Sequence, residues 1–123
     1  MFSATLALLF ALSTSTPPKD LEKAFVKSQI ELKGMEFGLS EERIEFIQKV
    51  VKCESNYQKY ALGDKGKAYS YFQFWRSTFN NFKKEWGHTW LDYDNPTDHI
   101  ELGMWAFSTG KLDSHWTCAK IVK

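Results

Sequence analysis

The sequence predicts a mostly helical α+β domain that carries one short β-hairpin. Apolar residues recur at helical spacing in several segments, and the aromatic run at residues 69–74 (YSYFQF) follows a glycine-rich turn, as a strand of a hairpin does. The chain has 123 residues without an internal repeat, and 43% of them are hydrophobic, which suffices for the core of one domain.

The first sixteen residues predict a signal peptide. Residues 1–16 contain no charged side chain, and their apolar run at 4–12 is too short to span a bilayer but fits a signal-peptide core. Ala11 and Ser13 offer small residues for cleavage, and Pro17 and Pro18 separate the run from the rest of the chain. We therefore expect a secreted, periplasmic or cell-wall-associated protein with no stable membrane insertion after signal removal. A helical extension of the fold is the alternative.

Residues 17–38 are expected to form a packing helix and a connector. Asp20 is a suitable helix cap, and the helix should run to about Leu32 and end at Lys33-Gly34. Its apolar side chains then lie along one face (Leu21, Phe25, Leu32). We interpret this segment as a cover for the main domain with no chemistry of its own.

The main domain, residues 39–123, begins with the helix that organises the rest. Ser40 is placed to cap it, with Glu41 and Glu42 in the first turn, where the helix dipole favours acidic residues. Apolar residues then follow at helical spacing (Ile44, Ile47, Val50, Val51). Glu54 falls on the same face at the end of this helix, where a carboxylate is costly to bury unless it is paired or neutral.

Two further helices complete the predicted fold. Residues 75–86 should form a helix stopped by Gly87, with Phe79 and Phe82 facing inward, and residues 88–94 a loop. Asn95 and Pro96 have the residue types of a helix cap and first turn. That last helix should end at Gly110 and bury one set of its residues (Ile100, Gly103, Met104, Phe107). The tryptophans assigned to the core are Trp86, Trp90, Trp105 and Trp116.

Charge and cysteine content limit the possible partners. The net charge is only +1, and no Lys/Arg stripe alternates with the aromatic residues, which argues against a nucleic-acid partner. Cys53 and Cys118 are the only cysteines, so an exported chain is expected to join them, although two buried free thiols are the alternative. The three histidines show no metal-ligand spacing, and we expect neither a metal nor a cofactor. A monomer is expected.

Glu54 is the strongest candidate for chemistry. A carboxylic acid in a partly apolar setting retains its proton near neutral pH and can protonate a glycosidic oxygen. Most glycosidases use a second carboxylate, and Asp64 is the nearest candidate. Because Asp64 stands between Gly63 and Gly66, it is more simply a turn residue whose side chain bonds local backbone amides. A solvated carboxylate at a helix end is the plainer interpretation of Glu54 itself.

The motifs around Glu54 resemble those of the lytic transglycosylases. Residues 53–57 (CESNY) correspond to the Glu-Ser pair that closes a helix in that family, and residues 70–73 (SYFQ) to its Gly-Leu-Met-Gln segment. Residues 105–110 (WAFSTG) are similar to its Ala-Tyr-Asn-x-Gly motif, with Phe107 and Ser108 in place of Tyr and Asn. The Cys-Glu-Ser opening and the Trp-x-Cys ending at residues 116–118 also resemble resuscitation-promoting factors. The likeness spans residues 39–118.

The resemblance implies a lysozyme-like fold and cleavage of the β-1,4 bond of peptidoglycan glycan strands. Glu54 then serves first as acid and next as the base that takes the proton of the muramic acid 6-hydroxyl, which leaves a 1,6-anhydro sugar. Ser55 and Gln73 orient the acid and the substrate. The other expected substrate-binding residues are Tyr57, Asp64, Tyr69, Ser70, Tyr71, Trp75 and Phe107. Because successive side chains of a strand point to opposite faces, we expect Phe72 and Phe74 to face the core and Tyr71 and Gln73 to face the cleft.

Two other functions remain open at this point. A hydrolytic muramidase uses Asp64 or a water-positioning group to complete the site and releases reducing ends. A non-catalytic glycan-binding module on the same fold is the second, and the departures at Phe107 and Ser108 favour it because the family's tyrosine helps to position the acid. The retained Glu54 argues against this module, since a binder does not require an acid on an apolar face.

Overall fold

The computed structural model describes residues 18–111 and 116–122, and within them it contains five helices and a three-stranded antiparallel sheet. The mostly helical α+β fold is therefore confirmed. The predicted signal peptide lies outside the described residues. In chain order the elements are α1 (Pro18–Glu36), α2 (Glu41–Ser55), β1 (Leu62–Gly63), β2 (Ala68–Tyr69), β3 (Phe74–Trp75), α3 (Arg76–Trp86), α4 (Pro96–Ser108) and α5 (Thr117–Ile121). None of these helices is both long and apolar enough for a membrane span.

Helix α2 begins and ends as its sequence predicts. The Ser40 side chain accepts a hydrogen bond from the Arg43 N–H at 3.1 Å, and Glu41 and Glu42 occupy the first turn. The predicted inner residues are all buried (Ile44, Ile47, Val50, Val51). Asn56 ends the helix in the left-handed conformation, so Glu54 lies in the last turn. This helix forms the wall from which the candidate acid projects.

Helix α1 differs from its prediction in both length and orientation. It continues through Gly34 to Glu36, and it buries Val26, Ile30 and Gly34. The side chains expected along the packing face are instead half exposed (Leu21, Phe25, Leu32). Gly34 does not end the helix because it is a contact point: a Cβ there would lie 2.5 Å from the Ile44 side chain. The helix packs against α2 and α4, and its buried residues belong to the common core.

The aromatic run at residues 69–74 is a tight turn and not a continuous strand. Tyr69 pairs with Phe74 across β2 and β3, and the Gln73 N–H donates to the Ser70 carbonyl oxygen at 3.1 Å. Ser70 and Gln73 both have positive φ. The alternation of faces expected for a strand therefore fails: Phe72 and Phe74 are buried as predicted, but Tyr71 is also buried, with 3% of its surface exposed.

Helices α3 and α4 follow their predictions closely. Helix α3 ends at Gly87 and buries Phe79 and Phe82, while Asn95 caps α4 through a bond from the Thr97 N–H to its side-chain oxygen. The inner residues of α4 are buried as expected (Ile100, Gly103, Met104, Phe107). The core assignment of Trp90 is wrong, because 70% of its surface is exposed and its ring packs on that of His88.

The Cys53–Cys118 disulfide is present, with its sulfurs 2.06 Å apart. It joins the last turn of α2 to the first turn of α5, across 65 residues of sequence. Among the described residues, no group of His, Cys, Asp and Glu side chains is arranged to hold a metal ion.

Candidate functional site

A polar cleft lies between the C-terminal end of α2, the small sheet and the start of α5. Its volume is about 360 Å³. Four of the ten predicted catalytic and substrate-binding residues line it: Glu54, Asp64, Gln73 and Trp75. The other lining residues are Cys53, Ala68, Thr78, Trp116, Thr117 and Cys118. Residues that are distant in sequence thus converge on the carboxyl group selected from the helical pattern.

Glu54 is only partly exposed, and its surroundings act on its pKa in opposite directions. Burial is the main effect and raises the pKa of the carboxyl group, because a buried carboxylate loses hydration. A hydrogen bond from the backbone N–H of Cys118 lowers the pKa, and the negative charge of Asp64 raises it. The balance is a pKa above the ordinary value for glutamate, which favours the protonated acid.

The Cys118 N–H is a free donor because it lies in the first turn of α5, where backbone N–H groups have no partner within the helix. Trp116 occupies the cap position but provides no side-chain acceptor, so the Glu54 carboxyl group takes that role. The disulfide joins Cys118 to Cys53, the residue before Glu54. This short covalent connection holds the carboxyl group and its donor together.

Asp64 faces the cleft, contrary to the expectation of a turn residue bonded to local amides. Its backbone is left-handed with φ 49°, and Lys65 follows at φ 59°. The Asp64 Oδ2 accepts a hydrogen bond from the Trp75 indole Nε1 at 3.1 Å. The Lys67 ammonium nitrogen lies 5.3 Å from the centre of the Trp75 ring. Asp64 therefore fixes an indole that is 43% exposed, and it also brings a second negative charge near Glu54.

Gln73 lines the cleft, but its amide group is largely engaged in holding the backbone. The Nε2 group donates to the carbonyl oxygens of Ser70 at 2.8 Å and Ala61 at 3.0 Å. Its Oε1 lies against Gly63, where a Cβ would collide with it. These contacts join residues 61–63 to the turn beside the cleft, and the orientation of a sugar by Gln73 stays a prediction.

The other six predicted substrate-binding residues do not line the cleft. Ser55 is buried and bonds the Val51 carbonyl oxygen, and the Tyr57 hydroxyl bonds the Gln48 carbonyl oxygen on another side of α2. Tyr69 packs on Tyr93 and His99. Ser70, Tyr71 and Phe107 are buried. Their sequence motifs therefore contribute to the scaffold, because the tight turn and helix packing direct these side chains inward.

Three polar or aromatic residues of the cleft were not selected from the sequence. Thr78 lies one turn into α3 after Trp75, so helical spacing from Trp75 could have indicated it. Trp116 and Thr117 precede Cys118, and their place in the cleft follows from the disulfide. The buried Trp116 indole N–H also donates to the Phe72 carbonyl oxygen, which ties this segment to the turn.

Comparison of the chain with protein-family models, with curated proteins and with solved structures yields no match. The chemistry of the cleft is therefore the basis for assigning a function.

Proposed function

We propose that this protein cleaves the glycan strands of peptidoglycan, with Glu54 as the general acid. The observation that carries the proposal is a carboxyl group whose pKa is raised, mainly by burial, at the wall of a polar cleft. A raised pKa favours the protonated form, which can transfer its proton to a glycosidic oxygen as the C–O bond breaks. The exposed Trp75 indole offers a flat apolar surface for a sugar ring in the same cleft.

Lytic transglycosylase activity on a lysozyme-like fold is the form of this reaction that the motif resemblance favours. Glu54 first donates its proton to the leaving oxygen of the β-1,4 bond. The resulting carboxylate then takes the proton of the 6-hydroxyl of muramic acid while that oxygen bonds to C1, which closes the anhydro ring and restores the acid. The Cys118 N–H supports the ionised intermediate state of Glu54, because a hydrogen bond to a carboxylate stabilises its charged form.

Hydrolysis to a reducing end is the second candidate, and the position of Asp64 favours it. The sequence alone offered no convincing partner for Glu54, but the structure brings Asp64 into the same cleft. A second carboxylate there could direct a water molecule or stabilise positive charge on the sugar. One of its oxygens already accepts the Trp75 indole N–H, which supports a positioning role instead.

Digestion of purified peptidoglycan by wild-type protein and by Glu54→Gln tests the proposal. The glutamine Oε1 can still accept the Cys118 N–H, so the variant should fold and bind glycan but lose cleavage by several orders of magnitude. Glu42→Gln, in the exposed first turn of the same helix, is the matched control and should digest normally.

Mass spectrometry of the released muropeptides then identifies the reaction. Anhydro ends support the transglycosylase, and reducing ends support the hydrolase. Undiminished digestion by Glu54→Gln would remove Glu54 from the reaction and the proposal with it. Glycan binding by a wild-type protein that releases no muropeptide would support the non-catalytic binding module.

A further inference from the structure

A second concave surface lies between α1 and α2, separate from the cleft. It has a volume of about 340 Å³, and Lys23 and Lys27 of α1 line it together with Lys49 and Lys52 of α2. We call it the lysine groove. Lys52 and Glu54 are two residues apart on α2, which is about 200° around the helix axis. The lysine groove and the cleft therefore lie on opposite sides of this helix and share no lining residue.

The floor of the lysine groove is firmly built. The Gln48 side-chain Nε2 donates to the Lys27 carbonyl oxygen at 3.2 Å and so joins the two helices. The Tyr57 hydroxyl donates to the Gln48 carbonyl oxygen at 3.1 Å, and the ring is almost fully buried. Tyr57 reaches this position with φ 62°, directly after Asn56 at φ 51°. A bulky residue in that conformation is strained, so the surrounding structure must hold it there.

The lysine groove concentrates positive charge in a chain whose net charge is only +1. All four lysines are exposed, and none forms an ion pair with a carboxylate in the part of the chain that the structure describes. Glu45 is the one acidic residue among the groove's lining residues. Several ammonium groups around a concave surface reinforce one another's potential and attract an anion with several charges.

We propose that the lysine groove binds a linear polyanion with regularly spaced phosphodiester groups. Lysine acts as a mobile point charge and suits repeated single phosphate contacts, and the groove draws two lysines from each of two neighbouring helices. A membrane surface fits less well, because no exposed large apolar side chain lines the groove for insertion. A nucleic-acid strand also fits less well, since the buried Tyr57 ring offers no platform for base stacking.

Such binding would tether the protein to a phosphate-bearing polymer while the cleft on the far side of α2 faces the glycan strand. The tethering rests on the proposed glycan cleavage, but polyanion binding by the lysine groove does not. Binding and cleavage are therefore measured separately, so that one can fail without the other.

The binding test is titration of the protein with synthetic poly(glycerol phosphate) at several salt concentrations. Lys27→Gln/Lys49→Gln removes one charge from each helix, and Lys84→Gln/Lys120→Gln removes two exposed charges outside the groove as a matched control. We expect the groove variant to bind at least tenfold more weakly and its salt dependence to fall by about 1.4 in log–log slope, at about 0.7 per lost contact. The control should stay within twofold of wild type.

Three results would overturn the proposal. Equal weakening in the groove and control variants would show that general charge and not this surface is responsible. Tight binding of single-stranded DNA with the same dependence on the groove lysines would assign the surface to nucleic acid. Lysine-dependent binding to phosphatidylglycerol vesicles without affinity for the polymer would assign it to a membrane. Circular dichroism of each variant confirms that the helices remain formed.

The cleavage test compares peptidoglycan with and without covalently attached phosphodiester polymer. The groove variant should digest the polymer-free substrate at the wild-type rate and the polymer-bearing substrate more slowly than wild type. Equal rates on both substrates would exclude tethering. If neither protein cleaves either substrate, the proposed function fails and the binding result still decides the role of the lysine groove.

Discussion

Substitution of Asp64 by asparagine separates the two effects of this residue in the cleft: its hydrogen bond with the Trp75 indole and its negative charge near Glu54. Asparagine keeps an oxygen that can accept the Trp75 indole N–H, now 3.1 Å from Asp64 Oδ2, but it removes the negative charge near Glu54. That charge is one of the causes that raise the pKa of Glu54, after burial. We therefore expect the pKa of Glu54 to fall in Asp64→Asn while the indole remains in place.

The pH dependence of cleavage reports this change with a definite sign. An acid catalyst loses its proton as the pH rises through its pKa, so activity should fall on the alkaline side of the profile. Asp64→Asn should move that alkaline limb to lower pH. At the optimum, the variant should lose less than tenfold in rate, about 1.4 kcal/mol in barrier, and its products should keep anhydro ends.

Two further variants make the interpretation secure. Asp64→Ala removes both the charge and the indole contact, so it should shift the same limb and also weaken binding of a glycan oligosaccharide by disordering Trp75. Asp94→Asn removes a carboxylate that pairs with Arg76 at 3.4 Å on an exposed surface outside the cleft lining, and it should change neither property.

The reasoning fails if the alkaline limb of Asp64→Asn stays in place or moves to higher pH. If instead Asp64→Asn is as damaging as Glu54→Gln and the wild-type products carry reducing ends, Asp64 takes part in the reaction directly. The hydrolase then replaces the transglycosylase as the proposed activity.

Three other predictions concern stability. Reduction of the Cys53–Cys118 bond should lower the free energy of unfolding by up to about 4 kcal/mol, because the unfolded chain gains conformational entropy. Denaturant unfolding with and without reductant measures this loss, and an unchanged midpoint would contradict the prediction. His99 is buried, and burial lowers its pKa to about 4 from 6.5. As the pH falls, the unfolded chain therefore binds this proton before the folded chain does. The free energy of unfolding should accordingly fall by about 3 kcal/mol from pH 7 to pH 4. His99→Leu should show a correspondingly smaller loss, and an equal loss would assign the acid sensitivity to other groups. Gln73→Ala removes two hydrogen bonds to backbone carbonyl oxygens and should lower the free energy of unfolding by about 1–2 kcal/mol. A fully stable variant with weak glycan binding would contradict this structural role and support a role as a sugar ligand.

Local signals predicted the starts of α2 and α4 well because each cap depends on residues only a few positions apart. The Ser40 cap bonds an N–H three residues later, and Asn95 bonds one two residues later, so both are readable from the sequence. The inner face of α2 was also predictable, since its apolar residues form a single stripe. Glu54 was found for the same reason: it interrupts that stripe.

Non-local contacts explain the failures. Helix α1 carries two apolar stripes, and periodicity could not show that Val26 and Ile30, rather than Leu21 and Phe25, would face the core. The choice depends on the close contact of Gly34 with Ile44 of α2. Similarly, the turn at residues 70–73 has positive φ at Ser70 and Gln73, and neither is a residue type that signals a left-handed conformation.

The cleft itself could be predicted only in part. Asp64 and Trp75 are eleven residues apart, and their hydrogen bond forms because the small sheet folds one onto the other. The turn composition around Asp64 correctly indicated a tight bend but gave no information on the direction of its side chain. Two adjacent left-handed residues, Asp64 and Lys65, set that direction.

The opposing effects on the pKa of Glu54 suit its proposed role, in which the carboxyl group gives up a proton and then takes one back. Burial and the negative charge of Asp64 both favour the protonated acid. The Cys118 N–H has the opposite effect on the pKa of Glu54, because its hydrogen bond stabilises the carboxylate. This N–H is available because N–H groups in the first turn of α5 have no partner within the helix. The disulfide joins Cys118 to the residue before Glu54, so the donor and the acid are covalently linked close together. In the proposed reaction the disulfide would therefore help to position the acid as well as stabilise the fold.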